Sequence, residues 1–160
     1  MAGSSVRAKD APAAQLRAYI ERFDGTHQRL IRAVRAAIRK RLPTANELVY
    51  DYRTSIVIGY SPSDLGIQSI LAIAARVDRV ELYFNQGKLL PDPTKLLKGS
   101  AKQVRFIAVE AARQLAHPDV EALIAAAVAH APVPLPPTGR GKLVMKAGRA
   151  KKVARRKRAM

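Results

Sequence analysis

The feature that most constrains the fold is a run of five short β-type segments in the middle of the chain. Residues 48–53 alternate Leu and Tyr with Val, Asp and Arg, as a half-buried strand does. Residues 55–60 are apolar on both faces and are predicted to form a buried strand. Further strands are predicted at 67–75, from Val80 onward, and at 103–109. Because the links between the first four segments are too short for parallel crossovers, the pattern predicts an antiparallel meander.

Helices are predicted before and after these strands in the sequence. Pro12 begins a first helix, a second runs over about 26–42, and Pro118 begins a third with acidic residues in its first turn. The polar side of the second helix is rich in arginine, at Arg29, Arg32, Arg35 and Arg39. Segregated helices and strands predict an α+β fold: an antiparallel sheet of about five strands, covered on one face by two N-terminal helices and one C-terminal helix.

Charge divides the chain into a body and a tail. Lys and Arg number 29 against 12 acidic residues, and residues 132–160 hold ten of the basic side chains and none of the acidic ones. Four prolines open this segment and favour an extended linker, and a block of like charge tends to stay disordered. We predict a flexible arm at 1–11, one domain at 12–131, and a Pro-rich linker with a basic disordered tail at 132–160.

The amino-acid composition argues against several kinds of chemistry. The chain has no cysteine, which excludes disulfides, thiolate metal sites and thiol catalysis. His27, His117 and His130 have no ligand-like partner three or four residues away, and no serine has a base placed beside it. We therefore expect no cofactor, no metal site and no enzymatic activity. The absence of a long apolar run predicts a cytoplasmic protein without a membrane span.

The basic tail predicts a polyanionic partner. Its cations could contact phosphate backbones without reading sequence, and it has no aromatic residue that would stack on bases. The alternative is a solubilising extension with incidental affinity for polyanions. The residues expected to bind nucleic acid are Arg149, Lys151, Lys152, Arg155, Arg156, Lys157 and Arg158.

The loop within 82–106 is rich in Pro, Gly, Leu and Lys. One interpretation is a binding rim in which Asp92, Lys98, Lys102 and Arg105 contact an unidentified small or protein ligand. The other is a crossover that caps the sheet, because four leucines in a loop require burial. The second interpretation is favoured, and the lysines stay candidates for binding.

Polar side chains on the predicted strands are a second group of candidates. Tyr50, Asp51 and Tyr60 could line a ligand pocket together with neighbouring tyrosine and arginine side chains. The alternative is a solvated sheet face, because one face of an antiparallel sheet usually contacts water. A lone Asp without a second acid or a histidine nearby does not indicate acid–base catalysis.

Several short sequence words resemble the YdhG-like family of small bacterial domains of unknown function. The resemblance covers about residues 14–131 and implies a frataxin-like fold. One branch of that family has an iron-chaperone role, which relies on acidic residues on the first helical region and the neighbouring strand. The words are Val49-Tyr50-Asp51, Ile58-Gly59-Tyr60-Ser61-Pro62, Leu90-Pro91-Asp92-Pro93, Leu96-Leu97-Lys98-Gly99, Gln103-Val104-Arg105 and Pro118-Asp119-Val120-Glu121-Ala122-Leu123.

Here the corresponding helices carry mainly arginine, which would repel a ferrous ion. We therefore predict a non-enzymatic binding protein whose body binds an unknown ligand and whose tail provides non-specific affinity for nucleic acid. The alternative is a frataxin-like iron or metal chaperone.

Overall fold

Three α-helices and six β-strands form within residues 11–146, the part of the chain that this computed structural model describes. The predicted arm at 1–11 lies outside that part except for Ala11, which begins the first helix. None of the described helices has the length and apolar character needed to cross a membrane. In chain order the elements are α1 (Ala11–Ile20), α2 (Gly25–Arg41), β1 (Asn46–Asp51), β2 (Ile56–Ser61), β3 (Leu71–Ala75), β4 (Val80–Phe84), β5 (Arg105–Val109), α3 (Pro118–Ala129) and β6 (Leu143–Lys146).

Local capping chemistry sets the helix boundaries. The Asp24 carboxylate accepts the backbone N–H of His27 at 2.9 Å and caps the start of α2. At α3 the ring of His117 accepts the backbone N–H of Asp119 at 3.1 Å, and Pro118 occupies the first turn. The three helices predicted from apolar periodicity are confirmed.

The sheet has the strand order β5-β4-β3-β2-β1-β6. The first five strands form the predicted antiparallel meander, in which Val49 lies opposite Ile58, Ile58 opposite Ile73, and Ile73 opposite Leu82. β6 runs parallel to β1 and makes the sheet mixed. The α+β class is confirmed, and the described residues form six strands where about five were predicted.

β6 corrects the prediction that 132–160 holds only a linker and an unstructured tail. The carbonyl of Lys142 accepts the backbone N–H of Glu47 at 2.8 Å, which joins the start of the strand to β1. Leu143 and Met145 then pack against the hydrophobic core. A four-residue segment is too short to show strand periodicity, so the sequence alone did not predict this pairing.

One face of the sheet forms a single hydrophobic core with all three helices. Each of its larger side chains contributes about 1.5–3 kcal/mol through burial, so this core is the main source of stability. Its fully buried members include Ile31, Ile38, Ile58, Ile73, Leu82, Phe84 and Leu115.

We call the opposite side of the sheet the open face, because the three described α-helices all join the core on the other side. Two adjacent rows of paired residues define it within β1 to β5. Apart from Glu81, both rows are apolar or aromatic, so the solvated polar face that the sequence suggested is wrong. The rows are Leu48, Gly59, Ala72, Tyr83 and Phe106, and then Tyr50, Val57, Ala74, Glu81 and Ala108.

Candidate nucleic-acid interface

The seven residues predicted to bind a ligand lie in separate parts of the structure. Tyr50 lies on the open face and Tyr60 in the core, so the sheet separates their side chains. Arg105 begins β5, four strands away from β1, which at about 4.8 Å per strand is roughly 19 Å. These side chains do not converge on one pocket.

Two of the predicted loop residues hold the loop itself. The Asp92 carboxylate accepts the backbone N–H groups of Leu96 and Leu97, both at 2.8 Å. The guanidinium of Arg105 donates to backbone carbonyls within the same loop, at Ala101 and Val104. Because these polar groups already have partners in the loop, their first role is to fix its conformation.

The loop lysines remain exposed to solvent. The backbone of Lys98 exchanges hydrogen bonds of 2.8 and 3.0 Å with Phe106, which fastens the loop along β5 and leaves its side chain outside. Lys102 is exposed as well. Of the loop leucines, Leu90 is buried in the core whereas Leu89 is 65% exposed. The loop therefore caps the sheet, as the favoured interpretation predicted, but buries its leucines unequally.

Asp51 forms an ion pair between the end of β1 and the segment after α1. Its carboxylate accepts from Arg22 at 2.8 Å and from the backbone N–H of Arg53 at 2.9 Å. Partial burial alone would raise the pKa of Asp51, but these two hydrogen bonds outweigh it and hold the pKa below its usual value. Asp51 is thus a structural carboxylate that joins two elements.

Tyr60 belongs to a buried polar cluster between α2 and the sheet. Its hydroxyl donates to the Glu47 carboxylate at 2.8 Å. The guanidinium of Arg35 donates two hydrogen bonds to the same carboxylate, from Nη2 at 2.8 Å and from Nε at 2.9 Å. Burial and the neighbouring Glu47 raise the pKa of Tyr60 well above its usual value, so the hydroxyl stays protonated. Arg39 lies 3.6 Å from Glu47 and completes the cluster.

A basic depression lies directly outside this cluster, between α1 and α2. It has a volume of about 280 Å³ and contains no carboxylate among the described residues that line it. Four arginines from the two helices surround it, together with apolar side chains at its base. These are Arg17 from α1 and Arg32, Arg35 and Arg39 from α2.

A second basic depression adjoins the first and shares Ala36 and Arg39 with it. Its volume is about 530 Å³, and it lies between the end of α2 and the segment that leads into β6. Lys40 and Arg140 line it, and Glu47 is its one carboxylate among the described residues. The two depressions form a continuous surface, called the basic surface below, whose cations are Arg17, Arg32, Arg35, Arg39, Lys40 and Arg140.

Most cations of the basic surface lack an acidic partner. Arg17, Arg32, Lys40 and Arg140 form no ion pair with any other residue between 11 and 146. The guanidinium of Arg32 is held in place by a neutral group, the side-chain oxygen of Gln28 at 3.1 Å. Cations without an acidic partner remain available to bind anions at the surface.

Sequence reasoning found part of this surface. The arginine stripe of α2 was visible in the sequence, but Arg17 and Arg140 join it only through the fold. The predicted tail residues from Arg149 to Arg158 lie outside the described residues. The described residues end at Lys146 in β6, the edge strand that contacts α1.

A separate polar cluster lies at one end of the open face. Arg76 donates to Glu81 at 2.8 Å and to the Tyr83 hydroxyl at 3.2 Å, and Arg79 lies 3.5 Å from the same carboxylate. Burial alone would raise the pKa of Glu81, but the hydrogen bond and positive charge of Arg76 outweigh it, and the pKa lies below its usual value.

This shift predicts a loss of stability in acid. Because the pKa of Glu81 is lower in the folded chain than in the unfolded chain, its contribution is complete above about pH 4.5 and disappears as the pH falls through the folded pKa. We expect Glu81→Gln to cost about 1 kcal/mol at neutral pH and much less near pH 3. Urea unfolding of both proteins at the two pH values measures this difference, and an equal cost at both would contradict it.

The described acidic residues are not arranged for a metal ion. No group of three His, Asp or Glu side chains within residues 11–146 could hold one. Three of the acids near the first helices have other partners, since Asp24 caps α2, Glu47 binds Arg35 and Asp51 binds Arg22.

The fold and the site define a class: a small α+β protein with a cationic helical surface on one side of a mixed sheet. Comparisons of the chain with known protein families, with characterised proteins and with solved structures find no match. The resemblance to the YdhG-like family and to the frataxin fold stays a prediction from the sequence.

Proposed function

We propose that this protein binds nucleic-acid backbones without sequence preference, as a non-enzymatic binding protein. The observation that carries the proposal is the basic surface, where six cations surround two joined depressions and one buried carboxylate opposes them. Phosphates are the anions that such a surface suits, because guanidinium groups bind them with two parallel hydrogen bonds.

The spacing of the cations supports contact with a backbone rather than with one isolated anion. Arg32 and Arg39 lie seven residues apart on α2, which at 1.5 Å per residue places them about 10 Å apart along the helix axis. Arg17 and Arg140 extend the surface to α1 and to the segment before β6. Several phosphates along a strand can therefore be contacted at once, and such contacts fix position without reading bases.

We propose that the basic tail contacts further phosphates of the same nucleic acid. Residues 147–160 contain seven basic and no acidic side chains, and they follow β6, the strand that contacts α1. A cationic segment that follows this strand in the chain raises the number of phosphates that one molecule can neutralise. Each neutralised phosphate releases condensed counterions, so the affinity becomes strongly dependent on salt.

Neutralising the α2 part of the basic surface tests the proposal. We expect the triple variant Arg32→Gln, Arg39→Gln and Lys40→Gln to weaken binding of a short mixed-sequence duplex by about tenfold or more at about 50 mM salt. The slope of log affinity against log salt should become about three units shallower, since each lost phosphate contact contributes about 0.9. Fluorescence anisotropy of a labelled duplex over a salt series measures both quantities.

A matched control removes the same charge from the exposed loop. The triple variant Lys88→Gln, Lys98→Gln and Lys102→Gln should leave the affinity and the slope nearly unchanged. Equal losses in both variants would mean that only net charge matters and would overturn the basic surface as the interface. A chain that ends at Lys146 keeps all six strands and should lose a further part of the salt slope if the tail contacts phosphates.

Iron delivery is the alternative function from the sequence. Its binding residues would be carboxylates around the first helices, and three of these, Asp24, Glu47 and Asp51, contact arginine or backbone N–H groups in the structure. No contact of the described residues favours it over phosphate binding.

A further inference from the structure

The open face contains a pocket that the proposed function does not use. It has a volume of about 290 Å³ and lies over the centre of the sheet, on the side opposite the helices. Its floor is formed by Val57, Gly59, Ala72 and Ala74. The walls and rim are formed by Tyr50, Tyr52, Arg76, Tyr83, Ser69, Asn85, Gly66 and Val104.

Small side chains at the floor create this pocket. A methyl group at Gly59 would come within 2.7 Å of the Ser69 hydroxyl, so a larger side chain there would force the Ser69 side chain to turn away. Ala72 and Ala74 extend the low floor onto β3. Since a sheet face that contacts only water is usually polar, a small-residue apolar floor between aromatic walls indicates a bound group.

The walls are aromatic on both sides. Tyr50 and Tyr52 stand on β1 and just beyond it, and Tyr83 stands on β4, so about two strands of floor lie between them. Tyr83 is held against Phe106, with ring centroids 5.1 Å apart and nearly parallel planes. Aromatic walls of this kind favour a flat ring, which they contact by stacking or edge-to-face packing.

One cation is fixed at the end of the pocket. The Arg76 side chain is held by Glu81 at 2.8 Å and by the Tyr83 hydroxyl at 3.2 Å, and these bonds use two of its three nitrogens. Glu81 pairs with the charge of Arg76 but is not among the described residues that line the pocket, none of which is a carboxylate. The side chains of Ser69 and Asn85 form no hydrogen bond with another residue of the described chain, so the rim also offers unused polar groups.

We propose that this pocket binds a small planar aromatic anion. The ring lies on the floor of Gly59, Ala72 and Ala74 between the tyrosine walls, and its acidic group contacts the free edge of Arg76. The size of the pocket suits one ring or two fused rings. A neighbouring pocket of about 480 Å³ shares Gly66, Ser69, Asn85 and Val104 with it and can accept a substituent on the ring.

A chemical-shift titration of the isotope-labelled full chain tests the proposal with four probes. Benzoate supplies both the ring and the charge, benzamide only the ring, cyclohexane carboxylate the charge without a flat ring, and inorganic phosphate only the charge. We expect benzoate to shift the backbone amides of Gly59, Ala72 and Ala74 and to bind about tenfold more tightly than either benzamide or cyclohexane carboxylate.

Two variants separate the roles of charge and shape. Arg76→Gln should weaken benzoate about tenfold and remove its advantage over benzamide, while Arg79→Gln removes the same charge from a residue outside the pocket and should leave binding unchanged. Ala74→Leu should fill the floor and abolish binding. Retained native amide dispersion in the Leu variant shows that the loss is local.

Two results would overturn the proposal. One is that phosphate and benzoate shift the same amides on α1 and α2 and leave the open face unchanged, which would mean general anion binding at the basic surface. The other is that Arg76→Gln and Arg79→Gln bind benzoate equally. Because the pocket and the basic surface lie on opposite sides of the sheet, either site can fail without affecting the test of the other.

Discussion

Replacing Glu47 with alanine should lower the free energy of unfolding by about 3 kcal/mol. The Glu47 carboxylate accepts two hydrogen bonds from Arg35 and one from the hydroxyl of Tyr60, and Tyr60 is fully buried. Without it, a partly buried guanidinium and a buried hydroxyl lose their partner in a medium that cannot replace it. Urea unfolding followed by circular dichroism measures the loss.

Two controls separate this buried cluster from ordinary surface pairs. Asp51→Asn breaks the more exposed pair with Arg22 and should cost less than about 1 kcal/mol. A triple variant, Glu47→Leu with Arg35→Leu and Tyr60→Phe, removes every partner together and should recover much of the stability lost in Glu47→Ala. If Glu47→Ala costs no more than Asp51→Asn, the buried cluster does not hold α2 against the sheet.

Replacing Gly141 with alanine should detach β6 from the sheet. A methyl group at this position would overlap the backbone carbonyl of Ala45, which cannot move without shifting β1. We expect a loss of about 2 kcal/mol, because the packing of Leu143 and Met145 is lost with the strand. Hydrogen exchange provides a local measurement, since the amide of Glu47 donates to Lys142 at 2.8 Å and should lose its protection.

Gly25→Ala is the matched control for this glycine. A methyl group there meets only the Arg29 guanidinium at 3.7 Å, an ordinary contact, and the residue lies in the first turn of α2. Its stability should stay within about 0.5 kcal/mol of the original. Full protection of the Glu47 amide in Gly141→Ala would contradict this prediction. It would show that β6 still pairs with β1 when residue 141 has a side chain, so the close approach of Gly141 to Ala45 is not required.

The strands of the meander could be predicted because their signals are local. Alternating apolar residues and short polar links indicate β1 to β5, and Pro12 and Pro118 indicate the starts of the first and third helices. β6 could not be predicted in this way, because four residues carry no period and their partner β1 is almost a hundred residues earlier in the chain. Its formation depends on the close approach at Gly141 and on packing of Leu143 and Met145.

The seven predicted ligand residues lie apart for a different reason, which is the register of the strands. The pairing of Glu47 with Tyr60 places Tyr60 in the core, while Tyr50 projects from the open face. A single-residue change of register would reverse these faces, and the sequence alone does not fix it. The partners of Glu47 are 12 and 13 residues away, so the buried cluster was also beyond any local pattern.

The basic surface combines a part that the local sequence pattern predicts with a part that only the fold brings together. The arginine spacing on α2 predicted one cationic helix face, whereas Arg17 and Arg140 reach that face only because α1 and the segment before β6 pack beside α2. The total charge pointed to a polyanion, and the fold shows where six of the cations meet.

Chemical-shift mapping of the isotope-labelled full chain with a short mixed-sequence duplex tests the central proposal most directly. At about 50 mM salt we expect the largest shifts at Arg17, Arg32, Arg39 and Lys40 and in the segment around Arg140, with recovery of the free spectrum at about 200 mM salt. Shifts confined to the loop around Lys98 and Lys102 or to the open face, or shifts that persist at the higher salt, would contradict it.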